Sequence, residues 1–229
     1  QPVFRAPNLQ LTQNSGTAAL GYLGFTGLTS GLSYTYSSGE YAGAQNLDTS
    51  GAANASFNQS TAEFFAKKDK GRATLDGKLG YSRRTSDSGN DNTSGLTGLF
   101  DVTYKATPKT RVTAKIERTI NSYLLNSGSE IDTDAGATVQ WQATHKVALT
   151  AGYTFSFRKF PRQGNNPVGS DRYDIQESTN LGATYQPLRW LQISPYGNLQ
   201  TRRSTFIGGH YSSTVFGVFV TVATSEKPK

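Results

Sequence analysis

The sequence predicts an all-β fold, a transmembrane antiparallel up-and-down β-barrel of about 12 strands. Three observations lead to this prediction. Apolar and polar residues alternate with a period of two in many segments, short turns alternate with long polar loops, and aromatic residues recur near strand ends. We expect residues 1–229 to form a single outer-membrane barrel domain, either complete or as part of a larger barrel.

Composition favours strands and excludes several other classes of protein. The chain has 12 Tyr, 12 Phe and 24 Gly, but no apolar run of the length that a membrane-spanning helix needs, about 20 residues. It has no Cys and no Met, which excludes disulfides and sulfur ligands for a metal. The net charge of +7 is scattered along the chain and not clustered in a motif, so we expect no nucleic-acid partner.

Turns and loops alternate along the chain, which is typical of porins with short periplasmic turns and long outer loops. The short breaks recur about every 40 residues, at 26–29, 69–71, 107–109, 145–146 and 187–189. The long polar stretches lie at 42–56, 85–93, 121–133, 161–172 and 204–210.

The strands follow from alternation between these breaks, because a strand between lipid and water must change character at every residue. In 147–158, for example, Leu149, Tyr153 and Phe155 fall on one face, whereas Thr150 and Thr154 fall on the other. The predicted strands, in order, include 3–12, 15–25, 72–83, 96–106, 110–120, 135–143, 147–158, 190–202 and 211–222. An even number of strands would place both ends of the chain on the short-turn side.

Two of these segments leave their facing open. In 15–25 the apolar residues do not alternate, and in 211–222 Val215 and Phe219 compete with Phe216 and Val218 for the lipid side. The alternative fold, a soluble β-sandwich, would bury the aromatic residues in a shared core. The opposite face argues against it, since that face carries Thr, Ser, Gln and charged residues of both signs.

Aromatic rings prefer the level of the lipid headgroups, where one edge of the ring can stay wet. Four aromatic residues lie a few positions before a short turn, and we predict that they form a periplasmic girdle: Phe64, Tyr104, Trp141 and Tyr185. A second girdle, near the long loops, is predicted at Tyr34, Tyr36, Tyr81, Tyr153 and Phe157.

Charged residues fall on the face that the alternation assigns to the lumen. The predicted basic lumen residues, which would guide a substrate, are Lys67, Arg72, Lys78, Lys105, Arg111, Lys115 and Arg158. The predicted acidic lumen residues are Glu63, Asp76, Asp101 and Glu117. The excess of cations would attract anions such as acidic glycans. The alternative is that opposite charges pair across strands, for example Asp76 with Lys105 or Arg111, and only fix the register.

Catalysis and cofactors are not expected. The two histidines are His145, in a short turn, and His210, in an outer loop near Ser204, Ser212 and Ser213. Proximity in sequence does not place a nucleophile, a base and an orienting group within hydrogen-bond distance. We find no metal-ligand spacing and no phosphate-binding glycine loop.

Several stretches resemble one family of barrels. Residues 34–41, 107–112, 149–153 and above all 181–193 are similar to the EpsL-type outer-membrane β-barrels of exosortase-associated exopolysaccharide clusters, which belong to a wider group of barrel porins. The end of the chain, with Gln200 to Ser204 followed by Tyr211 and Phe216 to Val218, resembles the end of that family. The resemblance implies a part in exopolysaccharide export and no catalytic residues.

The sequence therefore leads to one principal functional hypothesis and two alternatives. The first is an outer-membrane channel or scaffold for exopolysaccharide export, with a polysaccharide and periplasmic or envelope proteins as partners besides lipid. Aromatic lumen residues such as Phe65 and Tyr196 would offer stacking surfaces for sugars. The alternatives are a porin for acidic oligosaccharides and a plugged barrel that anchors an envelope assembly.

Overall fold

A computed structural model describes residues 10–25, 27–42, 55–86, 92–123, 128–161, 172–205 and 208–223. These residues form eleven β-strands. In chain order they are β1 (Gln10–Leu23), β2 (Leu28–Ala42), β3 (Ala55–Lys70), β4 (Ala73–Ser86), β5 (Thr93–Thr107), β6 (Thr110–Tyr123), β7 (Gly128–Gln142), β8 (Val147–Phe160), β9 (Arg172–Leu188), β10 (Leu191–Ser204) and β11 (Tyr211–Val222). No helix long and apolar enough to cross a membrane occurs in these ranges.

The strands form a single sheet in which each strand pairs with its neighbours in sequence, and every pair is antiparallel. This confirms the all-β, up-and-down architecture. The sheet is open in the described ranges, because β1 and β11 are its two edges and are not paired with each other. Since both edges are odd-numbered strands of an up-and-down sheet, they run in the same direction.

The described ranges contain one strand fewer than predicted, and the difference lies at the first strand. A single strand, β1, spans parts of the two segments that we predicted at 3–12 and 15–25, while residues 3–9 lie outside the described ranges. Gln13 and Asn14, which separate the two predicted segments, continue the strand because they pair with Gly39 and Ser38. The described sheet therefore starts at the long-loop end and finishes at the short-turn end, so the predicted even parity is wrong for it.

A second difference concerns the polar stretch at 121–133, which we predicted to be a loop. Most of it is strand: β6 continues to Tyr123, and β7 begins at Gly128 and pairs with it. The stretch lacks apolar alternation, but a backbone ladder needs only N–H and C=O groups. The alternation of side chains marks where a strand meets lipid and does not mark where the strand ends.

The strands are longer than a bilayer requires. They contain 12 to 17 residues, which at a rise of about 3.3 Å corresponds to roughly 40–55 Å, whereas a tilted strand crosses the hydrocarbon with about 9–11 residues. The sheet thus extends beyond the hydrocarbon region, and the polar ends of β6 and β7 form part of that extension.

The distribution of apolar side chains decides between a membrane barrel and a soluble sandwich. Phe100, Val139 and Leu149 are 52%, 41% and 38% exposed, so the predicted lipid-facing set does not form a shared interior. Among the residues that the structure describes, the buried apolar side chains are Phe57 and Ile120. The sheet is therefore apolar on its outer face and polar on its inner face, as a membrane barrel requires.

The sheet curls towards its polar face near the long loops. The Nε2 atom of Gln59, in β3, donates a hydrogen bond to the carbonyl oxygen of Ile120, in β6, at 3.3 Å. Three strand spacings of a flat sheet would separate these strands by about 14 Å. The last pair between β5 and β6 is Gly98 with Arg118, so the end of β6 is free to bend towards β3.

Aromatic rings cover glycines on neighbouring strands and fix the local register. A Cβ atom added to Gly31 would lie 2.6 Å from the ring of Phe65, and one added to Gly217 would lie 2.6 Å from the hydroxyl of Tyr196. Both rings lie on the inner face, over backbone that only glycine leaves accessible. Phe65 and Tyr196 thus occupy the side of the wall on which we expected them.

Candidate functional site: the inner face of the sheet

The inner face can be read from the strand register, because residues opposite each other on neighbouring strands point to the same side. One inner row runs Lys67, Asp76, Asp101, Lys115 and Gly136, from β3 to β7. By the same rule, the charged residues that we predicted for the lumen and that lie in strands are on this face, whereas Arg72 lies in the turn before β4 and has no partner in the register. The register also settles the facing in β11, with Phe216 and Val218 outside and Val215 and Phe219 inside.

A cluster of cations lies on this face near the short turns. Lys105 is opposite Arg111 in the register of β5 and β6, and its backbone N–H donates to the carbonyl oxygen of Arg72 at 2.8 Å. We call these three residues the basic arc. All three are exposed. The described residues offer them no carboxylate within ion-pair distance.

The basic arc lines a cavity of about 730 Å³ at the short-turn end of the sheet. Amide and hydroxyl groups from β7 and β8 complete its polar lining, and the lining contains Lys109 but no acidic residue. The cavity is lined by Arg72, Lys105, Thr107, Pro108, Lys109, Thr110, Arg111, Gln140, Trp141, Gln142, Ala148 and Thr150. Such a site has donors for anionic groups and both donors and acceptors for sugar hydroxyls.

The middle of the inner face is different, because it carries charges of both signs. Lys115 forms an ion pair with Glu117 at 2.6 Å. Asp76 lies opposite Lys67 on one side and Asp101 on the other, so the predicted pairing of Asp76 with Lys105 or Arg111 is wrong. Lys105 lies four residues beyond Asp101 along β5, closer to the short turns. Lys78 lies between Phe65 and Leu99, and Glu63 lies opposite Ser33 and Gly80.

A network around Asp174 occupies the long-loop end. Its carboxylate accepts from Arg172 at 2.8 Å and from Arg202 at 2.5 Å, and it also accepts from the hydroxyl of Ser204. The side chain of Asp174 is 2% exposed, so burial of its charge is compensated by two guanidinium groups and a hydroxyl. Ser204, which we considered as a nucleophile, is thereby engaged as a donor to a carboxylate.

Asp132 is the centre of a neighbouring contact. Its Oδ2 atom accepts from Asn121 at 3.0 Å, and Arg158 lies 3.4 Å from its Oδ1 atom. Arg158 was predicted as a guide for substrate, yet here it pairs with an acid. The register explains the contact, because Arg158 lies between Asp132 on β7 and Asp174 on β9.

Buried side chains between β3 and β4 extend this polar end of the wall. The guanidinium of Arg84 lies 3.7 Å above the ring of Phe57, and Gln59 donates to the hydroxyl of Ser82 at 3.1 Å. Arg84 is 2% exposed. We did not single out Arg84, Asp132, Asp174 or Arg202 from the sequence. Their contacts cross between neighbouring strands, as in the ion pairs of Arg158 with Asp132 and of Arg202 with Asp174. Finding such contacts requires the strand register, which the sequence alone does not determine.

The predicted periplasmic girdle lies on the outer face. Phe64, Tyr104, Trp141 and Tyr185 are 51%, 46%, 47% and 45% exposed. In the other predicted girdle, Tyr36 donates to Asn58 and Tyr81 donates to Ser94, each at 2.8 Å. These hydroxyls are therefore satisfied within the sheet, although Tyr34, Tyr81 and Tyr153 lie nearer the middle of their strands than we expected.

The two histidines are exposed and lie at opposite ends of the sheet, His145 in the turn between β7 and β8 and His210 just before β11. The described residues contain no cluster of three or more His, Asp or Glu side chains that could hold a metal ion.

Comparison with known proteins gives one family and several solved structures. A family model described as "Putative beta-barrel porin 2" matches residues 71–224. No curated protein matches. Among solved structures, the FrpB iron transporter from Neisseria meningitidis (F3-3 variant) is similar with a TM-score of 0.66 and 16% identity, over 89% of this chain and 37% of that chain.

A second structure is similar over nearly the same share of the chain. It is the ferric yersiniabactin uptake receptor FyuA from Yersinia pestis, with a TM-score of 0.51 and 12% identity, over 88% of this chain and 38% of that chain. The chain therefore spans well under half the length of the structures that it matches. At these identities the similarity concerns the fold, which is that of an outer-membrane barrel wall.

Proposed function

Because the chain belongs to the putative beta-barrel porin 2 family, we propose that it forms the wall of an outer-membrane pore that passes glycans bearing negative charge. Within this proposal, the process served is exopolysaccharide export, as the resemblance to EpsL-type barrels implies. A pore for export and a pore for uptake differ in the proteins that they work with and not in the wall of the barrel. The contribution of this chain to either process is therefore the chemistry of its inner face.

The observation that carries the proposal is the basic arc of Arg72, Lys105 and Arg111 in a cavity without acids. A passage with low-dielectric walls focuses the field of such charges and raises the local concentration of anions. Cations that were paired with carboxylates would lose most of this effect. The basic arc is unlike Lys115 and Arg158 in this respect, since those two have carboxylate partners.

Amides and aromatic rings on the same face favour a glycan over a small anion. Gln140 lies opposite Arg111, and Gln142 lies beside it in the cavity. Tyr196, further along the same inner row, stacks on Phe219 with ring centroids 5.1 Å apart and an angle of 14°. Side-chain amides bind hydroxyl groups, and flat aromatic faces accept the apolar side of a pyranose ring.

Ion selectivity in a planar bilayer tests the pore directly, with the full natural chain. We expect the wild type to prefer anions and the triple variant Arg72→Glu, Lys105→Glu, Arg111→Glu to prefer cations. The matched control is Lys68→Glu, Lys70→Glu, which changes charge on the outer side of β3 near the same end of the sheet. Unchanged selectivity in the triple variant, or an equal change in the control, would contradict the proposal.

A porin that takes up acidic oligosaccharides is the second candidate, and the same basic arc supports it. The two are separated in cells that lack the chain. Loss of surface polysaccharide, restored by the wild type and not by the triple variant, supports export. Normal surface polysaccharide together with loss of growth on acidic oligosaccharides supports uptake.

A plugged structural barrel is the third candidate, and the long-loop end favours it. There Arg84, Asp174 and Ser82 are 2%, 1% and 0% exposed on a face that an open pore would hydrate. In that case the bilayer experiment would record no conductance from wild type, while the variant Asp174→Asn with Arg202→Gln would open a path through the network.

A further inference from the structure

The outer face carries a groove near the short turns, which shares Trp141 and Thr150 with the lining of the inner cavity but contains none of its cations. It has a volume of about 620 Å³ and is lined almost wholly by apolar atoms, between β7 and β11. Trp141 and Phe216 flank it, and small side chains lie between them. Its principal lining residues are Trp141, Leu149, Ala151, Ala183, Pro195 and Phe216. This volume is within the usual range for ligand sites, about 300–1,000 Å³.

Basic residues lie at the two short turns next to the groove. Lys146 ends the turn before β8, and Arg189 begins the turn before β10. The two turns are joined, because the N–H of Gln186 donates to the carbonyl oxygen of Lys146 at 2.8 Å and Nζ of Lys146 donates to the carbonyl oxygen of Pro187 at 2.9 Å. The Nε2 atom of Gln186 also donates to the carbonyl oxygen of Arg189, at 3.3 Å.

No carboxylate opposes these cations along the neighbouring chain. The sequence contains no Asp or Glu from 135 to 170, and none from 178 to 225. The turns β7–β8 and β9–β10 therefore present uncompensated positive charge beside an apolar groove. Leu149 is three residues from Lys146, so the groove begins about 10 Å deeper along the strand, a separation that suits a headgroup above an acyl chain.

We propose that this groove and the two turns form a binding site for one anionic phospholipid, its phosphate at Lys146 and Arg189 and an acyl chain against Trp141 and Ala183. The proposal rests on the membrane-embedded part of the proposed function and not on what the pore carries. Exposed apolar surface on such a wall meets lipid in any case. The basic turns are what make the site selective for a negative headgroup.

The chain allows a direct optical test because its two tryptophans, Trp141 and Trp190, both lie in this region. In a Trp190→Phe background, the fluorescence reports Trp141 alone. The full chain is reconstituted in phosphatidylcholine vesicles that contain a small fraction of phosphatidylglycerol, and either lipid is brominated in its acyl chains. Bromine quenches the indole only on contact, so relative quenching measures relative occupancy.

We expect phosphatidylglycerol to quench Trp141 more strongly than the same fraction of phosphatidylcholine, by about fivefold in relative affinity for each Lys or Arg near the headgroup. The variant Lys146→Gln, Arg189→Gln should lose this preference. The control Lys68→Gln, Lys70→Gln, which removes two charges from the outer side of β3 near the same end of the sheet, should retain it. Ala183→Phe should reduce quenching without a change of charge, because the ring occupies the groove.

Equal quenching by the two lipids in the wild type would overturn the lipid site, as would equal loss of preference in the control variant. Both outcomes are independent of ion selectivity, which tests the pore. A chain that binds phosphatidylglycerol but shows no selectivity in a bilayer would retain the lipid site and lose the proposed function, and the reverse result would do the opposite.

Discussion

At the scale of single residues, pairing across the sheet determines what a charge does. Arg202 and Arg203 are neighbours in sequence with opposite surroundings. Arg202 points inwards and bonds to Asp174 at 2.5 Å, whereas Arg203 is exposed on the outer side. Because both are arginines, residue type alone does not distinguish them. Neither was among the predicted lumen charges. The sequence gives charge and facing, but partners follow only from the register.

The change Arg202→Gln should lower the free energy of unfolding by about 1–3 kcal/mol, because it removes one of two guanidinium partners from a buried carboxylate. The loss stays in this range because water partly screens the Arg202 side chain, which is 26% exposed. Arg203→Gln should change stability by less than about 0.5 kcal/mol. Urea unfolding in detergent or lipid would measure both. Equal effects of the two changes would contradict the network.

Glycines under aromatic rings offer a second prediction at this scale. Gly31→Ala should destabilise the sheet by more than about 2 kcal/mol, because the new methyl group would meet the ring of Phe65 and the Cα atom of Gly21, which lies at 2.8 Å. Gly95→Ala is the control, since nothing lies within 4 Å of its Cβ position. Thermal unfolding of the two variants should differ by several degrees, and equal melting temperatures would contradict the close packing.

At the scale of the strand, alternation predicted most of the elements well. Segment 147–158 lies within β8, and 211–222 coincides with β11. The strand ends were predicted less well in β6 and β7, where the sequence is polar on both faces. Apolar and polar residues alternate where one side of a strand faces lipid and the other faces water. The alternation is lost where both sides face water, although the hydrogen-bonded ladder continues.

The two faces of one strand should respond differently to the same charge. Ala137, in β7, lies on the outer side opposite Tyr153, and Thr138 lies on the inner side opposite Thr113. Ala137→Lys should cost about 2–4 kcal/mol in a bilayer, because the ammonium enters hydrocarbon. Thr138→Lys should cost less than about 1 kcal/mol, because the lumen is wet. Folding into vesicles of defined lipid would compare the two, and a larger cost for Thr138→Lys would contradict the assignment of faces.

At the scale of the whole molecule, the open edges constrain how the wall is completed. Strands β1 and β11 run in the same direction, so they would pair in parallel if the sheet closed on itself. The same holds if β11 paired with β1 of a second copy in the same orientation. Roughly half of the N–H and C=O groups of an edge strand point away from the sheet, and each costs several kcal/mol if left unpaired in hydrocarbon. A wholly antiparallel wall therefore contains an odd number of strands in addition to these eleven.

Closure could not be predicted from the sequence, because alternation describes each strand separately and carries no information about which strand lies beyond the edge. Our prediction of an even number of strands rested on counting a separate strand at 3–12, and it failed because the single strand β1 spans parts of both predicted segments.

The central claim is that each strand meets lipid on one side and water on the other, and it is tested most directly in β8. The chain has no Cys, so single cysteines at Thr150, Ala151, Tyr153 and Thr154 can be labelled in vesicles with a water-soluble maleimide. We predict fast labelling at 150 and 154 and protection at 151 and 153. Labelling at 151 and 153 with protection at 150 and 154, or equal rates at all four positions, would contradict the account.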